Sequence, residues 1–315
     1  MFRATGKATK ARCALGRQLR WADGCVLGRH LRWAEARGFS SSGGLLDVER
    51  DVEHGVMTLT LNAPEKRNAL SSNMLKELDT QLNWLKNDDG QTVRAVLIQA
   101  AGQTFCSGHD LKEMSSNACA EDAKERHQEL FALCSDVMVK MQSISQPVIT
   151  AVHGIATAAG CQLVAASDIA IASPTAKFST PGVRIGLFCH TPAVQIARSV
   201  PRKTAMYMLL TGEFINADDA RAFGLISKLC EKGENTVEDQ QLVQMEGFKL
   251  ARKVADASGV ALGMGKQTFY KQIDLDLERA YVVASQAMTD NMCSGDAEEG
   301  INSFLQKRQP KWSHK

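Results

Sequence analysis

Residues 146–173 read QPVITAVHGIATAAGCQLVAASDIAIAS. An apolar strand entered at Pro147 runs from 146 and is left at Gly154. Small residues follow, then an apolar helical pattern, and "DIAIAS" (168–173) is a second short strand. A strand, a helix and a strand in immediate succession give a parallel crossover, because parallel neighbours need a connection long enough to hold a helix.

The same alternation extends on both sides. "RAVLIQAA" (94–101) is a further apolar strand, and 45–64 holds two strands around a turn at Glu53–Gly55, with Met57, Leu59 and Leu61 alternating. "SSNMLKELDTQLNWLKND" (71–88) opens on serine caps and repeats Met74, Leu75, Leu78, Leu82 and Leu85 at a helical period. A long helix is expected from about Ala120 to Met141. From about Pro192 onward the pattern is mostly helical, with one strand at 225–230 and a helical layer after about Ala261. The expectation is one α/β domain, a largely parallel sheet flanked by helices, with a helical C-terminal appendage.

Composition narrows the function classes. A chain of 315 residues can bury a sizeable core, and no apolar run is long enough to span a bilayer. The nine cysteines show no C-x-x-C pair and no zinc-type spacing, so a reducing compartment and no metal are expected. Charge is concentrated at the start, where residues 1–39 carry nine Lys/Arg and two acids. Without that segment 28 basic residues face 33 acidic ones, and the formal +2 becomes −5. The segment holds a near-duplicate, "LGRQLRWAD" (15–23) and "LGRHLRWAE" (27–35), an Arg-rich amphipathic pattern poor in acids. With "ARGFSSSGG" behind it, this is the signature of a mitochondrial transit peptide, and a matrix location is expected. A surface-binding amphipathic tail is the alternative. The acidic remainder argues against nucleic acid as a partner.

Two strand-to-helix junctions share one character: "GQTFCSGHDLKEM" (102–114) and "HGIATAAGCQL" (153–163). Small residues let backbone N–H groups approach a ligand, and one N–H from each loop would stabilise an oxyanion by about 2.7–4 kcal/mol per donor. On spacing alone, tight packing is the more usual explanation of such turns.

Several segments in order resemble the crotonase (enoyl-CoA hydratase/isomerase) family: "LNAPEKRNAL" (61–70), "FCSGHDLKEM" (105–114), residues 146–173, "AKFSTPGVRIGL" (176–187), "TGEFINADDARAFGLISKL" (211–229) and "EEGINSFLQKRQPKW" (298–312). The resemblance implies a crotonase-like spiral of repeated ββα units over 45–258, a helical trimerisation region over 259–315, homotrimers or hexamers, and an acyl-CoA ligand with no other cofactor. It assigns the two oxyanion N–H groups to His109 and Ala159. It places CoA against Lys66, Arg67 and Ala69 and along His109, Asp110, Leu111 and Lys112. Phe304 and Lys307, three apart on the last helix, would meet adenine and phosphate, often in a neighbouring subunit.

The pattern breaks where hydratases carry two water-activating glutamates, which here are Gln162 and Gly182. Hydration needs a base and an acid near neutral pH; a tuned carboxylate serves, whereas an amide does not titrate. At about 10²–10⁴-fold per group, losing both removes most of a hydratase rate. The expectation is an acyl-CoA protein of fatty-acid metabolism with weak or absent hydratase activity. A non-catalytic sensor or carrier stays open, as does a decarboxylase or thioesterase-like enzyme using the oxyanion hole alone. Among substitutes, the His109 imidazole is either a base or a packed wall residue, the second preferred. Glu113 reads as structural, Cys161 as a buried filler, Asp168 as a locally paired strand-entry residue, Asp110 as a helix cap, and His190 as a residue near the acyl pocket.

Overall fold

The computed structural model describes residues 44–115 and 122–315. The transit-peptide reading of 1–39 and the expected helix start at Ala120 lie outside the described residues. Nine strands occur among the described residues. They are β1 (Leu46–Asp51), β2 (Val56–Leu61), β3 (Ala95–Ala100), β4 (Val148–Val152) and β5 (Ile155–Thr157), then β6 (Ile169–Ala172), β7 (Lys177–Ser179), β8 (Ile215–Asn216) and β9 (Lys228–Leu229).

The larger sheet has the order β1-β2-β3-β4-β6-β9. Only β1 and β2 pair antiparallel, as a hairpin placing Leu46 opposite Leu61; every later neighbour is parallel. The smaller sheet has the order β5-β7-β8. Two isolated parallel bridges, Leu70 with His109 and Cys106 with Ala156, repeat the same short pairing earlier in the chain. Each turn of the chain therefore gives a strand to the large sheet, a short stretch to the small pairing and then a helix. That is the ββα spiral.

Among the described residues the helices are α1 (Ser72–Asp88), α2 (Leu111–Ser115), α3 (Ala123–Ser143), α4 (Ala159–Ala166), α5 (His190–Ser199) and α6 (Arg202–Thr211), followed by α7 (Ala217–Phe223), α8 (Thr236–Ala255), α9 (Gly259–Gln272), α10 (Leu277–Met292) and α11 (Gly295–Leu305). The Ser71 hydroxyl caps α1 by accepting from the Met74 N–H, and the five apolar residues of its stripe are all buried. The large sheet is covered on both faces. Val96 and Ile98 of β3 enter the main core with α1 and α3, while Ala95 and Leu97 pack with Val243, Phe248 and Ala251 of α8. Burial on both sides explains why these strands are continuously apolar.

Some expectations change. Helical structure resumes at His190 rather than Pro192, and the strand expected over 225–230 shrinks to Lys228–Leu229. Asp168 is not paired locally. It accepts from the Val148 N–H at 2.6 Å, from Lys266 Nζ at 2.8 Å and from the Tyr270 hydroxyl at 2.8 Å. Lys266, only 8% exposed, also donates to the carbonyls of Met141 and Gln146. This buried network fastens α9 to the start of β4, the strand that leads into the 153–163 loop. Lys307 does not lie on the last helix. That helix ends at Leu305, where Lys307 N–H donates to Phe304 O, Arg308 N–H donates to Ser303 O, and Lys307 turns left-handed at φ 54. These two bonds are the Schellman C-terminus, with lysine where glycine usually sits.

Candidate functional site

The two loops singled out in the sequence are laced together. Cys106 N–H donates to Ile155 O at 3.1 Å and Thr157 N–H to Cys106 O at 2.9 Å. The Thr157 hydroxyl donates to Ser107 O at 3.1 Å. His153, which the motif reading passed over, fixes the first loop from the second: its Nε2–H donates to Gly102 O at 2.8 Å. Asn68, inside "KRNAL", was also passed over. Its side chain accepts from the Ala63 N–H and donates to Ala101 O and Thr104 O, and Arg67 O accepts from the Ser107 N–H. The 64–70 turn is thereby docked on the 102–110 loop.

Both N–H groups are available by geometry. Leu70 N–H donates to Gly108 O, and in a parallel bridge the groups flanking His109 make the bonds, so its own N–H faces away from Leu70. Ala159 is the first residue of α4, where an N–H has no partner within the helix. Gly108, at φ +89, holds the loops in contact: a Cβ there would lie 2.8 Å from Ala158 Cβ and 3.3 Å from Ala159 N. Ala158 sits at φ 51 and ψ −120, a strained conformation for a residue with a Cβ.

Beside these groups lies a predominantly apolar cavity of about 580 Å³, in the size range of small-molecule sites. It is lined by Ser107, His109, Leu111, Met114, Phe131, Ala158 and Ala159 and by residues 181–192 except Val183. Among the described residues its lining includes Arg184, His109 and His190 but no carboxylate. Gly182 has no room for a longer side chain, since a Cβ would meet Cys189 Sγ at 2.9 Å and Leu187 O at 3.1 Å. Gln162 sits one turn into α4, is 3% exposed, does not line the cavity, and its Oε1 is buried without a partner.

His109 is held by Nδ1 against Leu70 O at 3.2 Å, and its ring meets Phe131 edge-on at 5.5 Å. A carbonyl only accepts, so Nδ1 carries the hydrogen. Nε2 is then the unprotonated nitrogen of the neutral ring, and it is buried with no partner among the described residues. Burial pushes the imidazole below the ordinary histidine range, against the opposing effects of the Leu70 carbonyl and of Glu113. Cys161 is fully buried and its thiol is pushed up to about 12, which makes it inert near neutral pH. Glu113 accepts from the N–H and hydroxyl of Ser72, at the start of α1. Asp110 accepts from the Lys112 N–H and so caps α2. His190 is exposed, with its ring 4.9 Å from that of Phe188.

The expected CoA contacts divide. His109 and Leu111 line the cavity, and Lys66 and Asp110 share an adjoining surface depression. Arg67 and Lys112 are exposed, and Ala69 is buried under the turn. Phe304, 82% exposed, and Lys307 line neither space.

The site geometry accords with comparisons to known proteins. The Enoyl-CoA hydratase/isomerase family model matches residues 51–315. The human protein named enoyl-CoA hydratase domain-containing protein 3, mitochondrial, is 47% identical over 260 residues, covering 82% of this chain and 81% of its own. The crystal structure of an enoyl-CoA hydratase from Mycobacterium smegmatis is 46% identical with a TM-score of 0.78, covering 86% of this chain and 99% of that one. The crystal structure of the human domain-containing protein 3 is 44% identical with a TM-score of 0.76, covering 85% of this chain and all of that one. With its ββα spiral, its two laced loops and a family match over most of its length, the chain belongs to the enoyl-CoA hydratase/isomerase (crotonase) family.

Proposed function

We propose that the cavity binds an acyl-CoA thioester, with the thioester oxygen between the N–H groups of His109 and Ala159, and that the protein is a poor enoyl-CoA hydratase. The observation that carries this reading is the absence of any carboxylate from the cavity lining among the described residues. Gln162 and Gly182 stand where hydratases carry their glutamates. The oxyanion site survives because it is built from backbone, and the apolar lining suits an acyl chain. Lys66 and Arg67, exposed on the docked turn, would meet CoA phosphates.

The human relative's mitochondrial name and the Arg-rich start of the chain together support a mitochondrial role in fatty-acid metabolism. A homo-oligomer is part of the proposal. Helix α10 buries no residue, and Leu277, Tyr281 and Val282 on it are exposed together with Phe304 and Leu305 on α11. Apolar surface of this extent supports a contact between copies, one that would carry Phe304 and Lys307 to a neighbour's CoA. The test is calorimetric titration with butyryl-CoA and with free CoA. The thioester should bind more tightly, and equal affinities would refute the oxyanion assignment.

A further inference from the structure

We propose that the cavity takes a long, unsubstituted acyl chain of about 12–16 carbons, and that Ile185 and Leu187 select for its length. The proposal rests on the acyl-CoA reading above and names the class of acyl group. Size is the first observation. A methylene group fills roughly the 30 Å³ that a water molecule takes in the liquid, so a butyryl chain occupies about 120 Å³ of a cavity of about 580 Å³. A chain of 12–16 carbons fills about 360–480 Å³ and leaves room for the thioester. A short acyl group would leave most of the apolar lining in contact with water, at a cost that grows with the area left uncovered.

The lining is the second observation. Leu111, Met114, Phe131, Ile185, Leu187 and Phe188 contribute large apolar side chains. Leu111, Ile185 and Leu187 are each about half exposed, so the apolar surface of the cavity runs out to the solvent boundary. Half-exposed apolar residues gathered around one cavity are the mark of a surface that a ligand covers. The turn that carries Ile185 and Leu187 is preformed, because the N–H groups of Gly186 and Leu187 both donate to Gly182 O. The charged groups of the lining do not mark an acidic acyl end. Arg184 Nε donates to Thr211 O at 3.3 Å, at the C-terminus of α6, where a cation is favoured. His190 is exposed, with its ring against Phe188. A plain hydrocarbon chain therefore suits the cavity better than one ending in a carboxylate.

The experiment measures the equilibrium affinities of the purified protein for butyryl-, octanoyl-, dodecanoyl- and hexadecanoyl-CoA, each below its micelle concentration, and compares hexanoyl-CoA with adipoyl-CoA. Affinity should rise about two- to fourfold per added methylene as far as dodecanoyl-CoA, and hexanoyl-CoA should bind more tightly than adipoyl-CoA. Ile185→Asn/Leu187→Asn changes two exposed positions. It should lower the ratio of hexadecanoyl-CoA to butyryl-CoA affinity at least about tenfold, with an unchanged oligomeric mass by light scattering. A flat series, tighter binding of adipoyl-CoA or an unchanged ratio in the double variant overturns the proposal and leaves the acyl-CoA reading standing. A changed oligomeric mass in that variant assigns the two residues to a contact between copies and overturns it as well. Failure of wild type to bind any of these thioesters overturns both.

Discussion

Placing glutamates at positions 162 and 182 is the obvious route to a hydratase, and the structure predicts that it fails. A Cβ at position 182 lies 2.9 Å from Cys189 Sγ, 3.1 Å from Leu187 O and 3.3 Å from Cys189 N. Two of these three atoms are backbone, so the 187–189 segment itself must move by several tenths of an ångström, not merely one rotamer. Overpacking of this kind costs about 1–3 kcal/mol, and Gly182→Ala alone should already lose that much. At position 162 the difficulty is electrical. The Gln162 Oε1 is buried with no donor among the described residues, and desolvation raises the pKa of a carboxylate left there with no partner well above the ordinary carboxylate range. Gln162→Glu would then be neutral near pH 7 and unable to act as a base. The assay pairs urea unfolding with turnover of crotonyl-CoA for Gly182→Ala, Gln162→Glu and Gln162→Glu/Gly182→Glu. The double variant should be destabilised and gain little hydration. Wild-type stability together with turnover near that of an authentic hydratase would refute the reasoning.

Gly108→Ala places a methyl carbon 3.3 Å from Ala159 N at a backbone with φ +89, so acyl-CoA affinity should fall about 100-fold, as read by calorimetry; unchanged affinity contradicts the placement of that N–H. Asp168→Ala strands the Lys266 ammonium among carbonyls and should cost about 3–5 kcal/mol in urea unfolding. Adding Lys266→Met should recover most of that loss, because the uncompensated charge is what costs. His109 and His153 are both held below the ordinary histidine range by burial. In the unfolded chain they take up protons as pH falls below about 6.5, whereas the folded chain does not, so stability should drop on acidification from pH 7.5 to 5. His109→Asn/His153→Asn should flatten that dependence, and an equally steep dependence in this variant would assign it to other groups.

Much of the fold was legible because its signals are local. The 146–173 crossover, the hairpin at Glu53–Gly55 and the α1 stripe each show a period within one stretch of chain. The small sheet was not, since β5, β7 and β8 span two or three residues, too few for alternation to register. The partners of Asp168 on α9 lie about a hundred residues away in sequence, and no local pattern announces them. The end of α11 was hidden for another reason: a Schellman terminus usually advertises itself with glycine, and here Lys307 takes that position. At the site, the small-residue loops could be read directly, as could an amide at 162 and a glycine at 182. The roles of Asn68 and His153, which hold the loops in place, depend on carbonyls that only the folded chain brings near. Glycine at 182 shows that a carboxylate is absent, but the crowding that would oppose its return is a property of the 187–189 segment.

The most direct measurement of the central claim is to give the purified protein crotonyl-CoA and follow binding and hydration in the same samples. The account predicts saturable binding of the thioester with hydration slower than that of an authentic hydratase by several orders of magnitude. Rapid turnover abolished by Gln162→Ala would contradict it.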